Sequence, residues 1–525
     1  MSEINLQALA GKDSDEQKAP TAMQEINLAL KECGFGLFHF QLLCTSFFGV
    51  VSSVVVTNSA PYILPIAECD LNMNLVQKGV LNAIPFLGMI LVSVLAGFLT
   101  DTFGRKYFVL LGFGGLFTFT VISGTSQNYT LLVTAKFFEG MLFGTSFSSL
   151  LALTAEFCHN DIRDRIMMLQ SSFISVAQVI TALLSWAILT QDWNVSYFNG
   201  AIVLHRWNFY LFVMSLWPLF ATILYCFLPE SPKYYITQQR YDEAREVLIQ
   251  IYKKNTGKSV DEFAYKDLWK DKKTYAIDEA PENGPNKNFA GMLTASLHNV
   301  KPMFQKPRGL YLLLFCVMSF FTLLLYNVIR LWFPQLSTIV EHYSKTDSQD
   351  LCVMLDSYTH DLALISTNDT VTEACVPVVG SATTYINSMI LGSVCLVPVI
   401  ISSVLVVRVG KKNLYIACGL ISVGVTLGLR WASSKVIMVA LFASDIAIAQ
   451  MMVNLNQYLV VEFFPTTMRS LALGMVMMWG RIGSLVGNVL FPILLDMGCV
   501  VPFYTLAGTM IGITLLSFVI PVKKN

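Results

Sequence analysis

Gly97-Phe98-Leu99-Thr100-Asp101-Thr102-Phe103-Gly104-Arg105-Lys106 lies between two apolar runs of membrane length, and 306 residues later Gly410-Lys411-Lys412 repeats its last three positions between two more. The same offset carries Glu156, seven residues before Arg163, onto Glu462, seven before Arg469, each pair at the edge of an apolar run. Two motifs that share one offset imply a duplicated half. In an apolar chain, duplicated halves are how many secondary transporters are built, with the substrate path between them.

The 525 residues are 54% hydrophobic and 13% charged, with mean hydropathy +0.58, which marks an integral membrane protein. A span needs about 20 apolar residues to cross about 30 Å of hydrocarbon. Runs of that length fall at 41–62, 80–99, 107–125, 131–157, 166–189 and 207–228, and again at 310–333, 384–407, 414–432, 436–460, 471–493 and 501–521. The expected architecture is therefore all-α, with twelve transmembrane helices as two pseudo-symmetric six-helix bundles. The divisions are an N-terminal segment 1–38, a first bundle 39–228, a charged loop 229–309, a second bundle 310–521 containing an outer loop 334–382, and a tail 522–525. The first 38 residues lack a short apolar core followed by a small-residue cleavage site, so the first span is expected to act as the signal anchor.

Basic residues orient the chain. Arg105, Lys106, Arg163, Arg165, Arg408, Lys411, Lys412, Arg469, Lys523 and Lys524 fall on one side, against Lys78, Arg206, Lys345 and Lys435 on the other. The positive-inside rule then places both termini in the cytoplasm. Sequons at Asn128, Asn194 and Asn368 fall outside, and Asn194 and Asn368 are the better glycosylation acceptors. Cys352 and Cys375 share the outer loop 334–382, where they are either disulfide-bonded or two free thiols. In the cytoplasmic loop Tyr241, Ala244, Leu248 and Ile251 recur at helical spacing, which predicts an amphipathic helix under the bundle, with a polar segment 258–288 after it.

The 97–106 sequence resembles the signature loop of the major facilitator superfamily. The Glu156 to Arg163 unit and Pro229-Glu230-Ser231-Pro232-Lys233 narrow the resemblance to the branch that holds sugar porters, organic-ion carriers and synaptic vesicle glycoproteins. Gly34-Phe35-Gly36-Leu37-Phe38-His39, Trp332-Phe333-Pro334 and Gly480-Arg481-Ile482-Gly483-Ser484 look like the synaptic vesicle glycoprotein 2 family. The chain departs from that pattern in three places. The first span has no acidic residue between Phe40 and Pro65, which argues against proton coupling through this helix; Val407 replaces the repeat of Asp101; and Lys136 stands where many relatives have Arg.

The resemblance implies transport of a small organic solute, an organic ion being one option, by alternating access, with an inner gate of Asp101, Arg105, Glu156, Arg163, Glu230, Glu462 and Arg469. Charges at a half-desolvated rim form strong bonds in one conformation and lose them in another. The simpler reading is that they are interfacial charges that fix topology. Arg481 lies about 15 Å into span eleven, where a charge costs about 2.5–3.5 kcal/mol on insertion scales. It either pairs with Asp445 at similar depth in span ten or faces the cavity unpaired. Gln450, Asn454 and Gln457 in span ten, Gln170, Ser171, Ser175 and Gln178 in span five, and Asn488 in span eleven are further cavity candidates, with Tyr326, Asn327 and Asn387 behind them. The stripe Ser46, Gly49, Ser53 and Thr57 is read as helix packing, Lys136 and Glu139 as a mutual pair, and Arg330 and Arg430 as snorkelling to headgroups.

Gly257-Lys258-Ser259 lacks the opening glycine of a phosphate loop, because Tyr252 stands there, so no ATP-driven pump is indicated. No set of nucleophile, base and orienting residue can be assembled, and neither a metal, a cofactor nor a nucleic-acid partner is expected. The expected partners are a small-molecule solute, the lipid bilayer and a coupling ion, and the chain is expected to act as a monomer in the plasma membrane or a secretory or synaptic-type vesicle membrane. A second class stays open: a member without transport that acts as a receptor or trafficking partner through its glycosylated outer loop.

Overall fold

The computed structural model describes residues 22–197, 202–269, 303–343, 350–367, 380–397, 405, 408–464 and 466–520. Among them, eleven helices or helix pairs are long and apolar enough to cross a membrane. Span one is broken in two, Leu37–Thr57 and Ala60–Asp70; spans two to six are Leu75–Phe103, Arg105–Gly124, Tyr129–Glu156, Asn160–Leu189 and Arg206–Cys226. Spans seven to twelve are Arg308–Tyr343, the segment beginning Ala382–Val394, Lys411–Gly428, Lys435–Phe463, Thr466–Asp496 and Val500–Ser517.

The buried apolar residues form two separate cores, one for each half. Leu75 of span two joins the core of the second half, and Tyr385 of span eight joins that of the first, so the halves interlock at these two points. Span two packs against span eleven and span five against span eight, while span seven packs along span eleven within the second half. The Gly480 to Ser484 motif explains that last contact. A Cβ added at Gly480 would collide with Leu323, and one at Gly483 with the Phe320 backbone, so small residues let the helices touch.

Two features differ from the sequence reading. Pro334 does not end span seven, which runs on to Tyr343 with Gln335, Leu336, Thr338 and Ile339 buried. Tertiary packing of that last stretch outweighs the missing N–H of one proline. The segment read as an outer loop also contains a helix, Leu351–Thr367. On the same face, Asn194–Tyr197 pairs antiparallel with Ile202–His205 in a hairpin.

Under the first half, the amphipathic helix is present as Tyr241–Thr256, with Ala244, Leu248 and Ile251 fully buried. A second helix, Ala22–Glu32, packs beside it. Asn255 joins the two elements. It donates to the carbonyls of Cys33 and Gly34 at 3.1 and 2.9 Å and accepts from Phe38 N at 2.9 Å. Within the polar segment Phe263 and Trp269 are buried, and Trp269 Nε1 donates to Glu25 at 2.7 Å.

Candidate functional site

On the face that the basic residues assign to the cytoplasm, called inner below, the shared offset proves to be a repeated ion pair. Arg105 Nε donates to Glu156 Oε1 at 3.0 Å, and Lys411 Nζ donates to Glu462 Oε2 at 2.6 Å. The next residue repeats too. Lys106 Nζ donates to the Cys226 carbonyl at 3.1 Å, where span six ends, and Lys412 Nζ to the Phe518 carbonyl at 2.8 Å, where span twelve ends. Each lysine thus satisfies carbonyls that a helix C-terminus leaves unpaired. Gly104 and Gly410 start both turns at φ +103° and +83°.

Only the first half adds Glu230. Its carboxylate accepts from Lys106 N at 3.0 Å and from Ser231 N at 2.8 Å. A Cβ at Gly104 would lie 2.5 Å from Glu230 Oε2, so this contact requires glycine. Burial holds the Glu230 carboxyl above the usual carboxylate range, against the lowering pull of those two N–H donors. The Arg105 guanidinium lies over the Tyr234 ring, 5.4 Å from its centroid.

Glu156 therefore pairs with Arg105 and not with Arg163, which sits 3.7 Å from its neighbour Asp164 at a half-exposed position. Arg469 is part-buried, with its Nε lacking a hydrogen-bond partner among the described residues. Asp101 is on the last turn of span two, but its side chain lies outside the described residues. The pairs Arg105–Glu156 and Lys411–Glu462 each lie within one half.

The outer face differs. Lys78 of span two is fully buried, with its Nζ 2.6 Å from Glu68 and donating to the Tyr358 hydroxyl of the outer helix at 2.9 Å. Gln335 Nε2 of span seven donates to the same hydroxyl at 3.4 Å. Close by, Trp207 Nε1 donates to Asp70 at 2.8 Å. The outer helix is itself fixed by a Cys352–Cys499 disulfide and by Cys499 N donating to Asp356 at 2.9 Å. This corrects both sequence readings of Cys352, as a partner of Cys375 or as a free thiol: the helix carries it to the start of span twelve. Cys375 and Asn368 lie outside the described residues, and Cys69 is disulfide-bonded.

Between these faces is a cavity of about 40 Å³ lined from both halves. The first half contributes Asn58, Tyr62, Gln178 and Thr181, and the second Arg330, Phe333, Ser388 and Ile446. The break in span one puts Asn58 and Tyr62 there. It is held by Lys136, whose Nζ donates to Ser59 Oγ at 2.9 Å and to Glu139 at 2.7 Å, with both charges buried. Tyr62 shares the cavity wall with Ser388 and stacks on Tyr385 with ring centroids 6.3 Å apart.

Arg330 was expected at the headgroups and is instead in this cavity. Span seven continues 13 residues beyond it, to Tyr343, so the residue is well inside the helix. Its Nη2 donates to Asn327 Oδ1 at 2.9 Å, and the guanidinium lies 5.1 Å from the Tyr326 ring centroid. Asn327 Nδ2 donates to Ser484 Oγ at 2.8 Å. A cation within a span, with no carboxylate a helical turn away, was the signal that could have found it.

The other candidates scatter. Gln170 donates to Ser46 Oγ at 2.6 Å and Thr154 Oγ1 at 3.3 Å, so it binds spans one, four and five together and does not reach the cavity. Asp445 accepts from Ser422 and Thr426 of span nine at 2.8 and 2.9 Å. It is not paired with Arg481, which has no hydrogen-bond or ion-pair partner among the described residues and is absent from the cavity wall. Asn488 donates to the Ser484 carbonyl at 2.8 Å and faces Gly79 of span two. Asn387 lines a different cavity, about 250 Å³, between spans seven, eight and ten. Gln450 donates to Asn454 at 3.2 Å and Gln457 to Met477 Sδ at 3.3 Å. Gln450 and Asn454 follow Ile446 by four and eight residues, so they extend its face toward the inner end. Asn194 opens the outer hairpin, exposed, with its Oδ1 2.8 Å from His205 Nδ1.

Residues 36–337, more than half of the chain, match the family described as "Sugar (and other) transporter". Synaptic vesicle glycoprotein 2A of Rattus norvegicus is 27% identical over 233 residues, which is 44% of this chain and 31% of that protein. Synaptic vesicle glycoprotein 2B of Rattus norvegicus is 24% identical over 248 residues, 47% of this chain and 36% of that protein. The matched stretch is thus about a third of the length of these curated relatives. Among solved structures, the xylose transporter XylE from E. coli in a partially occluded inward open conformation superposes with a TM-score of 0.63 at 14% identity, covering 93% of this chain and 100% of that one. A mutant of the nucleoside transporter NupG gives 0.55 at 10% identity, with 92% and 98% coverage. At these identities the likeness shows the fold. The chain is a multi-pass membrane protein with the major facilitator fold, resembles the synaptic vesicle glycoprotein 2 proteins, and belongs to the sugar (and other) transporter family.

Proposed function

We propose that this protein moves a small polar solute, of sugar-like size, across its membrane by alternating access to the cavity between its halves. One observation carries the reading: polar side chains from both halves meet in one cavity, and on the outer side a cross-half contact, Lys78 to Tyr358, joins the halves, while the inner pairs Arg105–Glu156 and Lys411–Glu462 each lie within one half. A carrier that opens inward needs this asymmetry, because its outer contacts must join the halves and its inner contacts must let them part. Arg105, Glu156 and Glu230 in the first half, and Lys411, Glu462 and Arg469 in the second, act as the inner gate in this account, with Asp101 and Arg163 at its edge. Polar faces carried by Gln178, Gln450, Asn454 and Gln457 line the solute path, and Arg481 lies outside its narrowest part.

Spin labels test this directly. One pair, at Asp164 and Asn413, spans the inner face, and another, at Asp192 and Lys435, spans the outer. Alternating access gives two distances for each pair, with the short outer distance accompanying the long inner one. A single fixed distance at both faces refutes transport and leaves the receptor reading standing.

A further inference from the structure

We infer that the solute is an organic anion, held through a carboxylate or similar group by Arg330; this deepens the transport reading and rests on it. Arg330 lies on the cavity wall, and among the described residues no carboxylate forms an ion pair with it. The groups around it are Asn327, Tyr326, the Tyr62 hydroxyl and Cys395. Each is neutral, so among the described residues a guanidinium charge is held at the meeting of the two halves without a counter-ion.

The geometry of the guanidinium adds a second argument. Its Nη2 is taken by Asn327 and its face by the Tyr326 ring, but its Nε is buried with no hydrogen-bond partner among the described residues. A guanidinium presents five N–H donors in a planar fork that matches a carboxylate with two parallel bonds. Asn327 is in turn held by Ser484 across the span seven to span eleven contact, so the fork has a fixed orientation. Gln178 and Ser388 supply neutral hydrogen-bonding groups nearby, from opposite halves, which suits hydroxyls on the rest of the solute. A bound anion would complete the charge balance at the site and bridge the halves.

Purified protein in liposomes would be offered matched acid and neutral pairs of similar shape: glucuronate against glucose, benzoate against benzamide, and lactate against lactamide. The expected result is that at least one acid is taken up or raises the melting temperature, and that its neutral partner does so at least tenfold more weakly. Arg330→Gln should abolish the acid response, and Arg330→Lys should retain part of it, since charge survives but the fork does not. If neutral partners move as well as their acids, or if Arg330→Gln leaves the acid response intact, the anion assignment is overturned while transport stands. If no compound moves or binds and the label distances are fixed, both readings fall; if no compound moves while the distances alternate, the anion assignment alone falls. The wild-type comparison needs no variant, so poor folding of Arg330→Gln would not shield the proposal.

Discussion

Removing one hydroxyl on the outer face, in Tyr358→Phe, is expected to shift the protein toward an outer-open state. The ring of Tyr358 is buried and would stay packed, and Lys78 would keep its 2.6 Å contact with Glu68, so the variant leaves no charge without a partner. What it removes is the hydrogen bond from the Lys78 ammonium at 2.9 Å; the 3.4 Å contact from Gln335 is long enough to neglect. A hydrogen bond to a charged group contributes about 1.5–3 kcal/mol. Because this one joins the halves and must break on outer opening, the equilibrium should move about 10- to 150-fold. An outer-open state populated at about 1% would rise to about 10% or more. Spin labels at Asp192 and Lys435 read the change as new weight at the longer distance. An unchanged distribution would refute the idea that Lys78 and Tyr358 latch the outer face.

Gly104→Ala is expected to disrupt the inner loop, since φ +103° and the nearby Glu230 oxygen both oppose a Cβ; a loss of about 1 kcal/mol or more in thermal stability should appear, whereas Gly114→Ala, with open space around it, should be neutral. Because burial raises the Glu230 pKa, the folded loop takes up a proton at higher pH than the unfolded chain, so the loop gains stability as pH falls from above the raised value toward the ordinary one. Melting temperatures across pH should show that gain, and Glu230→Gln should flatten it. Peptide mapping without reduction should recover Cys352 joined to Cys499, and Cys499→Ser should lower stability by about 2–5 kcal/mol. Asp445→Asn should lower stability by about 1–3 kcal/mol through its bonds to Ser422 and Thr426 while leaving the label distances unchanged.

The fold was legible because its determinants are periodic. Runs of apolar residues, basic loops and a repeated Gly-basic-Lys turn each recur in the sequence, and the helical spacing of Ala244, Leu248 and Ile251 revealed the helix under the first half. The packing role of Ser46 and Gly49 was legible for the same reason: Ser46 accepts from Gln170, and Gly49 faces Leu150 and Tyr225. The site was harder to read because its contacts join residues far apart in sequence. Lys78 and Tyr358 are 280 residues apart, and nothing local to either announces the other. Glu156 and its partner Arg105 are 51 residues apart, and the seven-residue spacing to Arg163 does not reveal that contact. Arg330 was misplaced because Pro334 looked like a helix end, which put the residue at the membrane surface when it is deep in span seven. Asp445 and Arg481 stand at similar depth on neighbouring helices, but Asp445 points to the hydroxyls of span nine.

Access to the cavity itself decides between a carrier and a receptor. In a background with the other free cysteines replaced, Ser388→Cys puts one thiol on the cavity wall, and a membrane-impermeant maleimide can be applied to either side. Alternating access requires the thiol to react from both sides, with outer reaction faster in Tyr358→Phe than in its absence. Reaction from one side only, at the same rate with and without Tyr358→Phe, would contradict the account.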